Sequence, residues 1–293
     1  MPVDGSRHDW LEGRGPSLTL VGGIDDATGQ VPGAIFREQE DAQGYFLMLR
    51  QVVASQGVPL ALYSDRHGIF VKTAKQEPSL AEQLAGRRQP TQMGRLLEEL
   101  EVELILARSP QAKGRIERLW GTFQDRLCSE LRLQAVTTRA AANALLAQHL
   151  VQHNRRFAVP AQDPSHTWRP QPRDLEALFG FKFHRVVALD HTVRFRSQVI
   201  DIPKPGPRSL ARARVQVQQH FDGTLKVLHA GRCLATSVPD APPAGPLRLG
   251  TTTRPARPLP APAPRLAAPT RPPSGPRQPS RHHPWRTPFP LPS

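Results

Sequence analysis

The chain has 293 residues, with 39 lysines and arginines against 25 acidic residues, a formal charge of +14 and a sequence pI near 11.1. No apolar run approaches the ~20 residues that cross a bilayer, Met1-Pro2-Val3-Asp4 opens no signal peptide, and Cys128 and Cys233 show neither a CxxC nor a zinc-type Cys/His spacing. These features exclude a membrane protein and a disulfide-stapled secreted domain, fit a reducing bacterial-type cytoplasm, and leave a polyanion as the favoured partner.

In chain order, Leu18, Leu20 and Gly22 alternate toward Ile24, Asp25 to Gly29 supply turn chemistry, and Val31 to Phe36 is apolar again, which predicts a hairpin. Phe46, Leu49 and Val53 predict a helix stopped by Gly57 and Pro59. Leu60 to Tyr63 reads as a short buried strand ending at Ser64-Asp65. Thr91 is the predicted N-cap of a helix reaching Glu101, followed by a strand from Val102 to Leu106. Ile116, Leu119, Phe123, Leu127 and Leu131 recur at helical spacing after Gly114, with Trp120 and Phe123 expected in the core, and Thr138 opens another helix toward His153. Strands alternating with helices predict an α/β layer.

Beyond Phe179 the texture changes. Val186 to Leu189, Thr192 to Phe195, Val199 to Ile202, Val215 to Val217 and Leu225 to Leu228 are short strand-like runs separated by turn signals, which predicts a small antiparallel β-barrel. From Pro239 to Ser293 there are 18 prolines and 8 arginines with one acidic residue, so this segment carries 8 − 1 = +7, half the net charge. It has no hydrophobic period and is expected to be disordered, either as a solvated tail or as an out-of-frame extension.

Three acidic residues sit where an open α/β sheet can gather them. Asp4 lies at a first strand, Asp65 closes the apolar run from Leu60, and Glu117 falls in the first turn of the helix after Gly114. Carboxylates at adjacent strand ends and on a flanking helix can converge to hold divalent metal ions for phosphoryl transfer. Each also has an ordinary reading: Asp4 as a frayed terminus, Asp65 as a turn former, Glu117 as a favourable charge at a helix start.

The surrounding residues distinguish the two. Asp4-Gly5-Ser6-Arg7-His8-Asp9-Trp10 with Ile24 to Gly29, Tyr63-Ser64-Asp65-Arg66-His67-Gly68-Ile69-Phe70, and Ser109-Pro110-Gln111-Ala112-Lys113-Gly114-Arg115-Ile116-Glu117-Arg118 resemble the three acidic segments of an integrase-type catalytic core, extended by Thr122 to Leu127 and Asn154 to Phe157. Together, over about residues 3 to 235, they resemble the DDE transposases of bacterial insertion sequences, particularly the ISNCY-type group. The resemblance implies a ribonuclease-H-like core of residues 1–135 with a mixed sheet flanked by helices, a helical extension over 136–178, a small DNA-binding barrel over 179–238 and the tail 239–293.

It further implies Asp4, Asp65 and Glu117 as catalytic and metal-binding residues, Mg²⁺ (or Mn²⁺) as cofactor, and double-stranded DNA as substrate, cut at element ends and joined to target. A homo-oligomer on DNA and association with the bacterial nucleoid are expected with it. The 51 residues between Asp65 and Glu117 exceed the DD35E spacing, with the excess around Lys75 to Gln92. Asp25 and Asp26 are rival ligands that the hairpin turn explains better.

His67, Gln111, Lys113, Arg115, Arg118, Arg155 and Arg156 are the candidate DNA contacts, and Arg194, Arg196, Lys204, Arg208, Arg212 and Arg214 make the barrel a second DNA surface. Such transposases carry a helix-turn-helix region ahead of the core, which this sequence lacks, and only a stub of first strand precedes Asp4. The expectation is therefore an N-terminally shortened catalytic region. The alternative is an inactive DNA-binding fragment that inhibits an intact enzyme.

Overall fold

A computed structural model describes residues 1–65, 68–72, 80–84, 86, 88–107, 114–163, 168–203, 209–240, 243, 245 and 247. His67, Gln111, Lys113, Lys204 and Arg208 lie outside them.

Strands β1 (Val3–His8), β2 (Leu18–Gly23) and β3 (Gly33–Arg37) form an antiparallel meander. A two-residue strand β4 (Val58–Pro59) precedes β5 (Ala61–Ser64), which pairs in parallel with β6 (Glu103–Leu106). The two groups join at β1 and β5, where Pro2 and Tyr63 form a parallel bridge and the Tyr63 N–H donates to the Met1 carbonyl at 2.9 Å. The strand order is therefore β3-β2-β1-β5-β6, with β2 alone running against the others. Only Val3 of β1 precedes Asp4; most of the strand lies after it, and all six residues pair with β2.

Helices cover both faces, as the apolar pattern requires. Helix α1 (Ala42–Gln56) starts where Asp41 accepts from the Gly44 N–H at 2.7 Å and stops at Gly57, whose φ of 100° suits glycine. Its Tyr45, Phe46, Leu49 and Val52 pack on Val3 and Val21 from one side of the sheet. A short α2 (Leu80–Leu84) and α3 (Gln92–Glu99), capped by Thr91 as predicted, follow β5. On the opposite face, α4 (Gly114–Leu133) and α5 (Arg139–Phe157), capped by Thr138, bury Ile116, Leu119, Trp120, Phe123, Leu127 and Leu131 against Leu18, Leu20 and Phe36. All six residues of β2 are buried, as expected of a strand sandwiched between helices. The run at β5 is less buried than its composition predicts: Leu60 and Tyr63 are 48% and 39% exposed while Leu62 is covered, because alternate side chains face opposite sides and the Leu62 side is the one packed in the core with α1 and α3.

The edge strand β3 is closed by side chains. Asn143 of α5 accepts from the Phe36 N–H at 2.8 Å and donates to its carbonyl at 3.2 Å, and Asn154 does the same for Val31 at 2.8 and 2.9 Å. These amides stand in for a neighbouring strand and leave the edge without a template for aggregation there.

Downstream, β7 (Trp168–Arg169) pairs with β4, and a single turn, α6 (Leu175–Leu178), leads to the second β region. Here β8 (Phe181–Val186), β11 (Arg214–Gln219), β12 (Leu225–His229) and β13 (Arg232–Ser237) make an antiparallel sheet ordered β13-β12-β11-β8. Strands β9 (Thr192–Phe195) and β10 (Gln198–Asp201) form a separate hairpin. No closed sheet is hydrogen-bonded among the described residues. The pairing of β8 with β11 carries on to Val187, and a turn from Ala188 to Thr192 then leads into β9, where the sequence predicts a strand as far as Leu189. The hairpin then packs Val193, Phe195 and Ile200 on Val215, Val217, Leu225 and Val227, side chain to side chain.

The described part of the proline-rich segment lies against this framework. Leu247 is buried, and its N–H donates to Oε1 of Gln43 at 3.0 Å, while Pro239 and Pro243 line a cavity of about 240 Å³ with Phe195, Gln219 and Leu225.

Candidate functional site

Two of the three acidic residues follow one strand junction. Pro2 and Tyr63 form an isolated parallel bridge between the start of β1 and β5, and Asp4 and Asp65 each come two residues later, Asp65 just past the end of β5. Both carboxyl groups are half-buried.

The third approaches along a helix face. Glu117, Trp120 and Gln124 occupy i, i+3 and i+7 of α4, one stripe of the helix. Gln124 donates to the Ser6 hydroxyl at 3.1 Å, and the Trp120 ring rests on Gly22, the residue opposite Asp4 in the β1–β2 pairing. Glu117, one turn earlier on this stripe, therefore lies at the end of the sheet that carries Asp4. Its side chain is exposed, however, and no group of three His, Cys, Asp or Glu side chains is close enough to hold a metal among the described residues. Among the described residues the three carboxylates are therefore not gathered into one metal-holding group.

The rival carboxylates are accounted for. Asp25 accepts from the Thr28 hydroxyl at 2.5 Å in the β2–β3 turn, and Asp26 pairs with Arg115, whose Nε lies 3.0 Å from its carboxylate and which also donates to its backbone carbonyl. Arg115, expected on DNA, is thereby tied to a turn. Arg118, Arg155 and Arg156 are exposed on α4 and α5; Arg156 and Arg126 both lie over the Phe157 ring, at 5.4 and 5.0 Å. The predicted contacts at His67, Gln111 and Lys113 fall outside the described residues.

Two further residues, on the α1 side of β1 and so across the strand from the Asp4 side chain, were not singled out from the sequence. Tyr45 of α1 is fully buried, and its hydroxyl donates to Oε1 of Glu40 at 2.6 Å. Its pKa is held well above that of an ordinary phenol, first by burial, then by Glu40, and also by the charges of Asp4 and Asp65. Glu40 also lies against Gly5: a Cβ there would meet the Glu40 Cδ at 2.7 Å. The signal in the sequence is that glycine, set inside a strand beside an aspartate, where only a close approach explains it.

No family model matches the chain. Over 242 residues it is 35% identical to a protein of Sinorhizobium fredii named as a transposase, a match covering 81% of this chain and 51% of that one. Over 225 residues it is 30% identical to the transposase for insertion sequence IS1202 of Streptococcus pneumoniae, covering 76% and 47%. The chain spans about half the length of these curated relatives. Among solved structures, a chain of a simian T-cell lymphotropic virus intasome in complex with a PP2A regulatory subunit superposes with a TM-score of 0.40 at 14% identity, covering 77% of this chain and 70% of that one. The catalytic core domain of BIV integrase gives 0.37 at 20% identity, covering 57% and 88%. It is the sequence matches, extending over about four-fifths of the protein, that carry the likeness: over that length the chain is similar to transposases, one of them that of a bacterial insertion sequence.

Proposed function

We propose that this chain is the catalytic region of a transposase, a metal-dependent polynucleotidyl transferase that cleaves element ends and joins them to target DNA. The observation that supports this reading is the bridge between β1 and β5 two residues before Asp4 and Asp65, in a chain similar to transposases. Asp4 and Asp65 would hold Mg²⁺ (or Mn²⁺), and Glu117 would complete the set. Bound there, the metal would activate the attacking hydroxyl and stabilise the leaving oxygen. The strand order β3-β2-β1-β5-β6 with its reversed second strand supports a ribonuclease-H-like reading of the core.

Arg118, Arg155 and Arg156 are the exposed cations we assign to DNA phosphate, together with His67, Gln111 and Lys113. Arg115 would join them on releasing Asp26. The second β region, with Arg194, Arg196, Arg212 and Arg214, would add a further DNA surface, and the working form would be a homo-oligomer holding two ends. No helix among the described residues is long and apolar enough to cross a membrane, and action on chromosomal DNA would place the protein in the cytoplasm.

The test is a Mg²⁺-dependent nicking and strand-transfer assay on duplexes carrying the ends of the encoding element, with the wild type, Asp65→Asn and Glu117→Gln. Activity in the wild type that falls at least ~10³-fold in both variants is expected, because each removes a charge acting on the transition state. A silent wild type that still binds duplex DNA in a salt-sensitive way would support the inactive DNA-binding reading instead.

A further inference from the structure

A cavity of about 500 Å³ opens between the start of α3 and the edge of the second sheet, walled by Gln89, Gln92, Lys182, His184, Arg185 and Arg214 beside Phe183. It gathers three cations and a histidine and has no carboxylate in its wall. We propose that it is a binding site for a phosphate group, carried either by a nucleic-acid backbone or by a small molecule. The inference does not rest on the metal reading above.

The wall follows from the sheet topology. Strand β8 is outermost in its sheet and pairs on one side with β11. On its other side Gln92 takes the place of a strand: the amide donates to the Lys182 carbonyl at 2.7 Å and accepts from the Lys182 N–H at 3.0 Å. Backbone groups alternate in direction along a strand, so the N–H and carbonyl of His184 face this same open edge, ~7 Å beyond those that Gln92 closes. Gln89 is fixed at the rim, where its N–H donates to Oε1 of Glu82 at 2.8 Å.

The cations reach the edge from both faces. Arg214 is opposite Val186 and Gln216 is opposite His184, so Arg214 and His184 share one face. Arg185 springs from the other face, where its guanidinium lies over the Phe183 and Phe195 rings at 5.9 and 5.3 Å. It returns to the edge through Nη1, which donates to the His184 carbonyl at 2.7 Å. Ring contacts and this hydrogen bond hold the planar fork in place and leave donors over for a ligand. Lys182 is already bound to Glu99 at 2.8 Å, so Arg185 and Arg214 supply the attraction. A tetrahedral phosphate accepts from several directions at once, which suits two guanidinium groups and a strand N–H set around one opening.

The experiment measures binding of the full chain in EDTA to two probes: inorganic pyrophosphate by calorimetry, and a fluorescein-labelled DNA duplex by anisotropy. Arg185→Gln and Arg214→Gln are compared with Arg232→Gln, which removes the same charge at the start of β13, outside the cavity. Each cavity variant is expected to weaken phosphate binding about tenfold, the loss of a hydrogen bond to a charged group, while Arg232→Gln binds pyrophosphate like the wild type. Arg185→Lys keeps the charge without the fork and should fall between.

Duplex binding weaker in the cavity variants than in Arg232→Gln would assign the phosphate to a nucleic-acid backbone. Loss of pyrophosphate binding with duplex affinity equal in all three variants would assign it to a small molecule. The inference is overturned if both cavity variants match Arg232→Gln toward both probes, or if the wild type binds neither. Thermal unfolding reports whether each variant folds; should Arg185→Gln fail, Arg214→Gln, on an exposed side chain, carries the test. Because no metal is present, the outcome is separate from that of the cleavage assay.

Discussion

Trp120 of α4 and Gly22 of β2 touch so closely that no side chain fits between them: a Cβ on Gly22 would lie 2.8 Å from Cη2 of the indole. This contact sets the height of α4 over the sheet, and with it the approach of Glu117 toward the strand that carries Asp4. Gly22→Ala is expected to push the helix outward and destabilise the protein by about 1–3 kcal/mol, as overpacking does. Urea unfolding measures this directly. A midpoint equal to that of the wild type would mean that the indole shifts freely and does not gauge the helix position.

The two asparagines that close β3 provide a second test. Replacing Asn154 by alanine leaves the Val31 N–H and carbonyl without their partner in a half-buried position, at an expected cost of about 1–3 kcal/mol. Asn154→Asp keeps an acceptor for the N–H but loses the donor to the carbonyl, and it should fall between alanine and the wild type. Equal stability of the three proteins would show that water replaces the amide at no cost.

Stability should also depend on pH through α5. His153 packs between Phe123 and Phe157 near His149, and burial first, then the neighbouring His149 and Arg126, lower its pKa from 6.5 to about 4. The unfolded chain therefore binds more protons than the folded one between about pH 6.5 and 4, so stability is full above that window and falls as the pH drops through it. The loss is at most about 3 kcal/mol, at 1.36 kcal/mol per unit. His153→Phe should flatten this part of the profile, which guanidinium titrations at pH 4.5 and 7 would reveal; an unchanged slope would assign the dependence elsewhere.

DNA binding gives a prediction with its own arithmetic. Each phosphate neutralised contributes about −0.9 to the slope of log affinity against log salt. If Arg155 and Arg156 each hold one phosphate, the double alanine variant should bind duplex DNA more weakly and lose about 1.8 from the slope. Fluorescence anisotropy between 50 and 300 mM salt (about the practical range for such screening) measures both, and an unchanged slope would remove these arginines from the interface.

Leu247 tests the junction with the proline-rich segment. Leu247→Ala should cost about 1–2 kcal/mol, the transfer free energy of a mostly buried leucine reduced by its position at the surface. Thermal unfolding at matched protein concentrations reads the effect, and no change would mean that this residue packs without stabilising the fold.

Much of the local structure was legible before any coordinates. Thr91 and Thr138 cap their helices because a side-chain oxygen satisfies an amide within three residues, and the apolar faces of α1 and α4 follow from spacing along one helix. The flanking motifs singled out Asp4, Asp65 and Glu117 as a candidate set, since each sits in a segment that resembles an integrase-type motif. Relations between distant segments were beyond that reach. The junction of β1 with β5 depends on the bridge at Pro2 and Tyr63, the hydrogen bond from Tyr45 to Glu40 on how α1 docks, and the seat of the β9–β10 hairpin on side chains of the second sheet. Periodicity and capping are properties of neighbours in the chain, which the sequence specifies by itself; register, closure and the company a carboxylate keeps are decided when separate elements pack, and here only the tertiary structure decided them.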